Sequence, residues 1–285
     1  MMKLMTIDLD GTLLNSRHEL GEENIKAIKA AQQQGIEIVI ATGRAEFDVR
    51  QVFEGTGVRT WVIGANGATI HKPDGSRFAD VPIQRKDAED ILAFLSKKQY
   101  YYEVFSDTAI YTPLNGRELL EVELDRVLSA NPEEDRDRLK QAMERQFSQT
   151  GFSHVNSYEE ILEADVPMYN ILAFSFEKEK LEKDQEKFRH YPDLTLVTSA
   201  EHNFEFEHGD ASKGIALEKL ARELGISLGD TAAIGDSPND LSMIETASHT
   251  AAMANAHPDV KNAADFLTKS NDEHGVAEFI YQWLD

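Results

Sequence analysis

Five short apolar runs, each stopping abruptly at a polar residue, constrain the fold of this chain most. Leu4 to Ile7 runs into Asp8, and Ile36 to Ala41 into Thr42-Gly43-Arg44. Trp61 to Ala65 runs into Asn66-Gly67, Thr231 to Gly235 into Asp236, and Thr250 to Met253 into Ala254-Asn255. Runs this apolar predict strands covered on both faces, as in a parallel sheet. Helical patterns lie between them. Residues 22–34 space Ile25, Ile28 and Ala31 for one face and stop at Gly35; residues 213–224 do the same with Ile215, Leu220 and Leu224 before Gly225. Residues 238–248 open with Pro238 at a favoured first helical position behind Ser237 as a cap. Alternating strand and helix predicts an α/β, Rossmann-like doubly wound parallel sheet. Ligands of such sheets gather at the carboxyl ends of the strands, where all these polar residues fall.

The middle of the chain reads differently. Residues 84–199 carry longer helical patterns (87–98, 116–128 and 133–147) and aromatic strand candidates at Tyr100 to Phe105 and Met168 to Phe176. They predict an inserted α+β domain, with residues 1–83 and 200–285 forming the core. The run Glu133-Glu134-Asp135-Arg136-Asp137-Arg138 predicts a solvated helix face.

Composition narrows the function classes. Lys plus Arg is 29 against 51 for Asp plus Glu, a formal charge of −22. That balance disfavours a nucleic-acid partner. It also repels phosphorylated small molecules, so an anionic substrate needs a local cationic pocket. The chain has no cysteine. Disulfides, thiolate metal sites and a Cys nucleophile are therefore excluded, and a reducing compartment fits. Asp8 interrupts any signal-peptide apolar region, and no run approaches the roughly 18 apolar residues of a membrane span. The expectation is a soluble cytoplasmic protein without a membrane partner, of unknown oligomeric state.

Asp8 and Asp10 are the first residues that speak of chemistry. Side chains at i and i+2 of a strand share a side, so if strand geometry persists the two carboxylates point the same way. Like charges that close need a shared cation or proton, which predicts a divalent metal site or acid–base work. A calcium loop is the rival for Asp-x-Asp-Gly, but Thr12 and Leu13 occupy its fifth and sixth positions and a strand precedes it. Thr42-Gly43 suits holding a phosphoryl oxygen, and equally an ordinary turn with Arg44 in a surface ion pair. Lys213 opens a predicted helix, where a cation opposes the helix dipole by about 0.3–1 kcal/mol. It is either a ligand-facing cation or a tolerated surface lysine. In Gly235-Asp236-Ser237-Pro238-Asn239-Asp240, a capping box explains Ser237, Pro238 and Asp240. It explains neither Asp236 nor the amide of Asn239.

In order and spacing, Asp8-x-Asp10, Thr42, Lys213 and Asp236 with Asn239 resemble the four signature motifs of the haloacid dehalogenase superfamily, along the whole chain. Ala41-Thr42-Gly43-Arg44, Ala65-Asn66-Gly67-Ala68 and Ser212-Lys213-Gly214 narrow the resemblance to the Cof-type phosphatases. It implies a C2-type cap inserted between the second and third motifs, matching 84–199. It implies Mg²⁺-dependent hydrolysis of a small phosphorylated metabolite, such as a sugar phosphate, pyridoxal phosphate or flavin-type phosphate. Asp8 is then the nucleophile and Asp10 the general acid and base. Mg²⁺ sits between Asp8, the backbone carbonyl of Asp10, and Asp236. Thr42, the amides of Leu9 and Gly43, Lys213 and Asn239 cradle the phosphoryl group, and Asp240 orients Lys213 or the metal's waters.

Two alternatives share these residues: a phosphomutase, and a catalytically silent regulatory protein. The intact acids argue against the second. Two departures from the Cof-type pattern stand out. Ala254 replaces a usual glycine, and His274 replaces a usual acid. In the insert, Tyr100 to Tyr102 and His154 are pocket-lining candidates whose plainer expectation is the domain's own core or surface.

Overall fold

The structure is a computed structural model that describes residues 2–131, 133–147, 151–198 and 201–284. The chain forms two compact units, Met1–Asp80 with Asp210–Asp285, and Val81–Gly209.

The first unit is built on an eight-stranded sheet. Its order is Phe266–Leu267, His249–Ala252, Thr231–Gly235, Leu4–Asp8, Glu37–Ala41, Trp61–Gly64, Thr69–His71, Arg77–Asp80. The first six strands run parallel and the last two are antiparallel. The sequence did not foretell that antiparallel pair, which follows the turn at Asn66-Gly67. Every residue of Leu4–Asp8 and of Thr231–Gly235 is buried, as both-face coverage requires. On the covering helix Glu22–Gln33, Ala27, Ile28 and Ala31 are fully buried. Each buried residue the size of Ile28 contributes about 1.5–3 kcal/mol through the hydrophobic effect. Buried Asn24 on the same helix donates to the Leu13 carbonyl and accepts from the Ala277 amide. It thereby ties the first loop to the helix Gly275–Tyr281.

Two local departures shape the strand ends. After Asp8 the chain makes a π-turn, Leu9–Leu13, closed by the Leu14 amide on the Leu9 carbonyl at 2.9 Å. Gly11 takes φ +80° there, and a Cβ on it would lie 2.5 Å from Asp236 Oδ2. Only glycine fits both demands. The helix expected over 238–248 is instead a 3₁₀ turn, Pro238–Asp240, followed by Leu241–Thr246. The Asp240 carboxylate folds back to accept the amides of Asp236 and Ser237 at 2.9 Å each. That capping tightens the first turn.

The second unit is a six-stranded sheet ordered Leu194–Val197, Asn203–His208, Asn170–Phe174, Tyr101–Phe105, Ile110–Pro113, Phe152–Val155. All its pairs are antiparallel except the last. Tyr102, Val104, Ile171, Ala173, Phe204 and Phe206 form its apolar core with Ile91, Leu92 and Leu95 of the helix Arg85–Lys97. The unit extends further than the 84–199 expected from sequence. Asn203–His208 pairs with Asn170–Phe174 and so belongs to this sheet. The expected junction at 199/200 lies outside the described residues. The charge run 133–138 is exposed, and its helix begins at Arg136, after Asp135 Oδ1 accepts the amides of Asp137 and Arg138. Among the described residues no helix is long and apolar enough to cross a membrane.

Candidate active site

Asp8 is the last residue of its strand. Ile7 pairs with Ile234 in register, so Asp236 follows at the end of the neighbouring strand. The helix Lys213–Glu223 brings the cation, and Ser212 caps it by accepting the Ile215 amide. Gly67, at φ +108°, lets the Asn66-Gly67 turn lie against Ser212; a Cβ there would overlap the Ser212 carbonyl. Lys213 is 1% exposed, which overturns the surface-lysine alternative. Its Nζ donates to Asp8 Oδ1 at 2.8 Å and to Asp240 Oδ1 at 2.6 Å. These two carboxylates offset the unfavourable helix-dipole term at that position.

The charges around Asp8 do not balance. Asp8, Asp236 and Asp240 each present an oxygen within 4.8 Å of the others, and Lys213 is the ammonium that bridges two of them. Burial pushes the Asp8 carboxyl well above its ordinary range. Asp240 adds to this, Lys213 opposes it, and Asp236 adds again. Burial also raises Asp236, while the Thr12 hydroxyl donating at 2.8 Å and a hydrogen bond shared with Asp8 hold it down. Burial alone would lower Lys213, but Asp240 and Asp8 outweigh it and hold the ammonium above its ordinary value. Both Asp240 oxygens are already committed, to Lys213 and to backbone amides. The excess negative charge therefore falls on Asp8 and Asp236. A set of hard oxygen donors with surplus negative charge fits a hard cation.

Asp10 is not where strand geometry would put it. Pairing stops at Asp8, and Asp10 (φ −82°, ψ 122°) lies inside the π-turn. Its carboxylate is forked by Arg44, with Nε on Oδ2 at 2.7 Å and Nη2 on Oδ1 at 2.6 Å. Arg44 Nη1 also donates to Asp48 at 3.0 Å. The acids that act on Asp8 are thus Asp240 and Asp236, and because strand geometry ends at Asp8 the condition for Asp8 and Asp10 to share a side by strand alternation is not met. The expected metal contact of Asp10 was its carbonyl, which the fork leaves untouched.

The remaining predicted residues lie in the loops beside these strands. Thr42 is buried, and its Oγ1 accepts the Arg44 amide at 3.1 Å. A Cβ on Gly43 would meet Asn66 Oδ1 at 3.2 Å. Asn239 Nδ2 donates to the same Asn66 oxygen at 3.1 Å. Leu9 opens the π-turn. Sequence reasoning missed Asn66 and Thr12 as site neighbours and offered Arg44 only a surface ion pair, whereas it is part-buried on Asp10 and Asp48. The strand-ending Asn-Gly was the signal for Asn66, since Asn tolerates the left-handed conformation it adopts at φ +53°.

Both departures from the family pattern find their places. Ala254 is absent from the left-handed residues among those described, so its backbone makes no demand for glycine. His274 takes φ +60°, a conformation for which Asp and His are both enriched. In the second unit Tyr100 and Tyr102 are core residues, Tyr101 donates to Glu103 at 2.7 Å, and His154 is exposed.

Residues 5–280 match the family model for haloacid dehalogenase-like hydrolases. Phosphatase YwpJ of Bacillus subtilis is 57% identical over 285 residues, covering 99% of this chain and 100% of that protein. The 5-amino-6-(5-phospho-D-ribitylamino)uracil phosphatase YwtE of the same organism is 41% identical over 283 residues, covering 99% and 98%. A solved haloacid dehalogenase-like hydrolase from B. subtilis superposes with a TM-score of 0.84 at 56% identity, covering 99% and 100%. With its acids, lysine and strand-end loops set on a doubly wound sheet, this chain belongs to the haloacid dehalogenase-like hydrolase family, and it is a phosphatase.

Proposed function

We propose that the chain hydrolyses small phosphomonoesters through a phosphoryl group carried transiently on Asp8. One observation carries this reading: the Lys213 ammonium bridges Asp8 and Asp240 while Asp236 shares the same cluster. Asp8 attacks phosphorus, forming a P–O bond as the ester P–O bond breaks. Asp10 gives its proton to the departing alkoxide, then takes one from the water that cleaves the aspartyl-phosphate. Lys213, Thr42, Asn239 and the amides of Leu9 and Gly43 bind the phosphoryl oxygens. Such preorganised donors supply most of the catalysis in phosphoryl transfer. Asp8, the Asp10 carbonyl and Asp236 would hold Mg²⁺, which when bound supplies positive charge against the phosphoryl oxygens. Asp240 fixes Lys213 in place.

The substrate class is a small phosphorylated metabolite. The 41% identity to a phosphatase of a phosphoribitylamino-uracil favours a flavin-type phosphate over the other two classes. The charge of −22 and the absence of cysteine support a cytoplasmic enzyme without a nucleic-acid partner. The test is hydrolysis of p-nitrophenyl phosphate with Mg²⁺ and with EDTA, followed by a phosphometabolite panel. Turnover that needs Mg²⁺, with phosphate released and an acid-stable mass increase on wild type but not on Asp8→Asn, is expected. Full activity in EDTA, or in Asp8→Asn, overturns the mechanism.

A further inference from the structure

The Arg44 side chain is unusually well held for a residue in a loop. Nε and Nη2 grip both oxygens of Asp10, and Nη1 reaches Asp48 in the first turn of the helix Glu46–Val52. Its main chain is fixed as well. The amide donates to Thr42 Oγ1 at 3.1 Å, and the carbonyl accepts the Ala65 amide at 3.0 Å. One residue thus joins the Thr42-Gly43 loop, the Asn66 loop and the Asp10 carboxylate.

Asp10 needs such a partner. It lies past the end of its strand, where no ladder restrains the chain, and its side chain is 41% exposed. A carboxylate that serves both proton transfers must reach the same position opposite Asp8 twice, first for the ester's leaving oxygen and then for the oxygen of the attacking water. Free rotation there would cost orientation at both steps. A planar guanidinium sets the plane of a carboxylate through two parallel bonds, whereas an ammonium sets only its distance. His18, at the tip of the loop closed by the Leu14–Leu20 bridge, approaches Asp10 Oδ1 at 3.5 Å and offers a single contact.

We infer that Arg44 is a positioning residue: its bidentate fork on Asp10, anchored by Asp48 and by the Thr42 loop, sets the orientation from which Asp10 exchanges protons with the leaving group and with water. This rests on the assignment of Asp8 and Asp10 under the proposed function. In this role Arg44 acts through Asp10, so its loss affects turnover more than binding.

The experiment compares Arg44→Ala and Arg44→Lys with wild type on p-nitrophenyl phosphate and on an alkyl phosphate, with Mg²⁺. Arg44→Ala should lower kcat by about 10–100-fold with KM nearly unchanged. The loss should be larger on the alkyl ester, whose leaving group depends on a proton, than on the aryl ester. Arg44→Lys, which keeps the charge without the fork, should stay impaired. Millimolar guanidinium should restore part of the activity of Arg44→Ala and none of that of Arg44→Lys. Circular dichroism melting separates these effects from misfolding. A wild-type or raised kcat in Arg44→Ala overturns the inference. So does full recovery in Arg44→Lys, or an equal loss on the two esters. Asp8→Asn, run in parallel, separates the two claims. If it is inactive while Arg44→Ala is normal, only the role of Arg44 fails; if it is active, the underlying mechanism fails.

Discussion

Both units of this molecule bury acidic side chains, and they satisfy them in opposite ways. In the Val81–Gly209 unit Glu123, Glu103 and Asp184 each have donors of their own, and Glu205 and Glu207 share the Asn170 amide nitrogen. Glu123 accepts the Ser175 hydroxyl, the Phe176 amide and Lys180 at 2.7–3.0 Å. Glu103 accepts Tyr101 and Gln146 at 2.7 Å each, and Asp184 accepts the Tyr100 hydroxyl at 3.0 Å. Burial followed by the partner carboxylates pushes the Tyr100 and Tyr101 phenols upward, so they remain donors. At the strand ends of the other unit, three carboxylates crowd around one ammonium and two of them are raised. Most buried polar groups that serve the fold have hydrogen-bond partners close at hand. Carboxylates left with surplus charge mark a candidate functional site, and under the proposed function its ligands are a phosphoryl group and a cation.

That contrast can be broken experimentally. Asp8→Asn should lower turnover of p-nitrophenyl phosphate by at least about 10³-fold. Its melting temperature should not fall, because a raised carboxyl is replaced by a neutral amide. Lys213→Ala should lower kcat by about 10²–10³-fold through loss of a phosphoryl donor. It should also destabilise the fold by about 3–5 kcal/mol, since Asp8 and Asp240 lose their shared buried cation; urea unfolding measures this.

The pH dependence of the cation's effect sharpens the comparison. A carboxyl raised by folding binds more protons in the native state than in the unfolded one. Its contribution is present below the unfolded value of about 4 and is lost as pH rises through the higher folded value. Asp8 and Asp236 should therefore make the EDTA-treated protein less stable as pH rises above about 4. The melting-temperature gain on adding Mg²⁺ should grow across the same window. A gain independent of pH would remove these two acids as ligands. Asp236→Asn should stabilise the EDTA-treated protein at neutral pH by about 1 kcal/mol and flatten that dependence. The smallest effect on activity is expected in the other unit. Glu123→Gln should cost about 1–3 kcal/mol of stability by breaking a satisfied network, while hydrolysis of an aryl phosphate stays within about twofold.

Much of this was legible in the chain. The apolar runs ending at Asp8, Thr42 and Asp236 named the strands and the end of the sheet that carries the site, because both-face burial leaves a compositional mark. The helix starts at Glu22 and Lys213 were legible from caps and periodicity. Other features were not. Whether Asp10 shares a face with Asp8 depends on where strand pairing stops, and the π-turn stops it at Asp8. The strand Asn203–His208 reads too polar for a core element, yet its alternation puts Phe204 and Phe206 in the apolar core and Asn203, Glu205 and Glu207 on the other face.

The sequence by itself determined which residue types stand at the strand ends and in what order, since local pattern and motif spacing are properties of the chain. Only the tertiary structure decided how they pair. Lys213 lies 205 residues from Asp8 in sequence and 2.8 Å from it in space. Arg44 takes Asp10, and Asp240 turns back on its own loop. Partner choice among buried charges depends on distance and burial, and both come into existence only when the sheet brings its strands together.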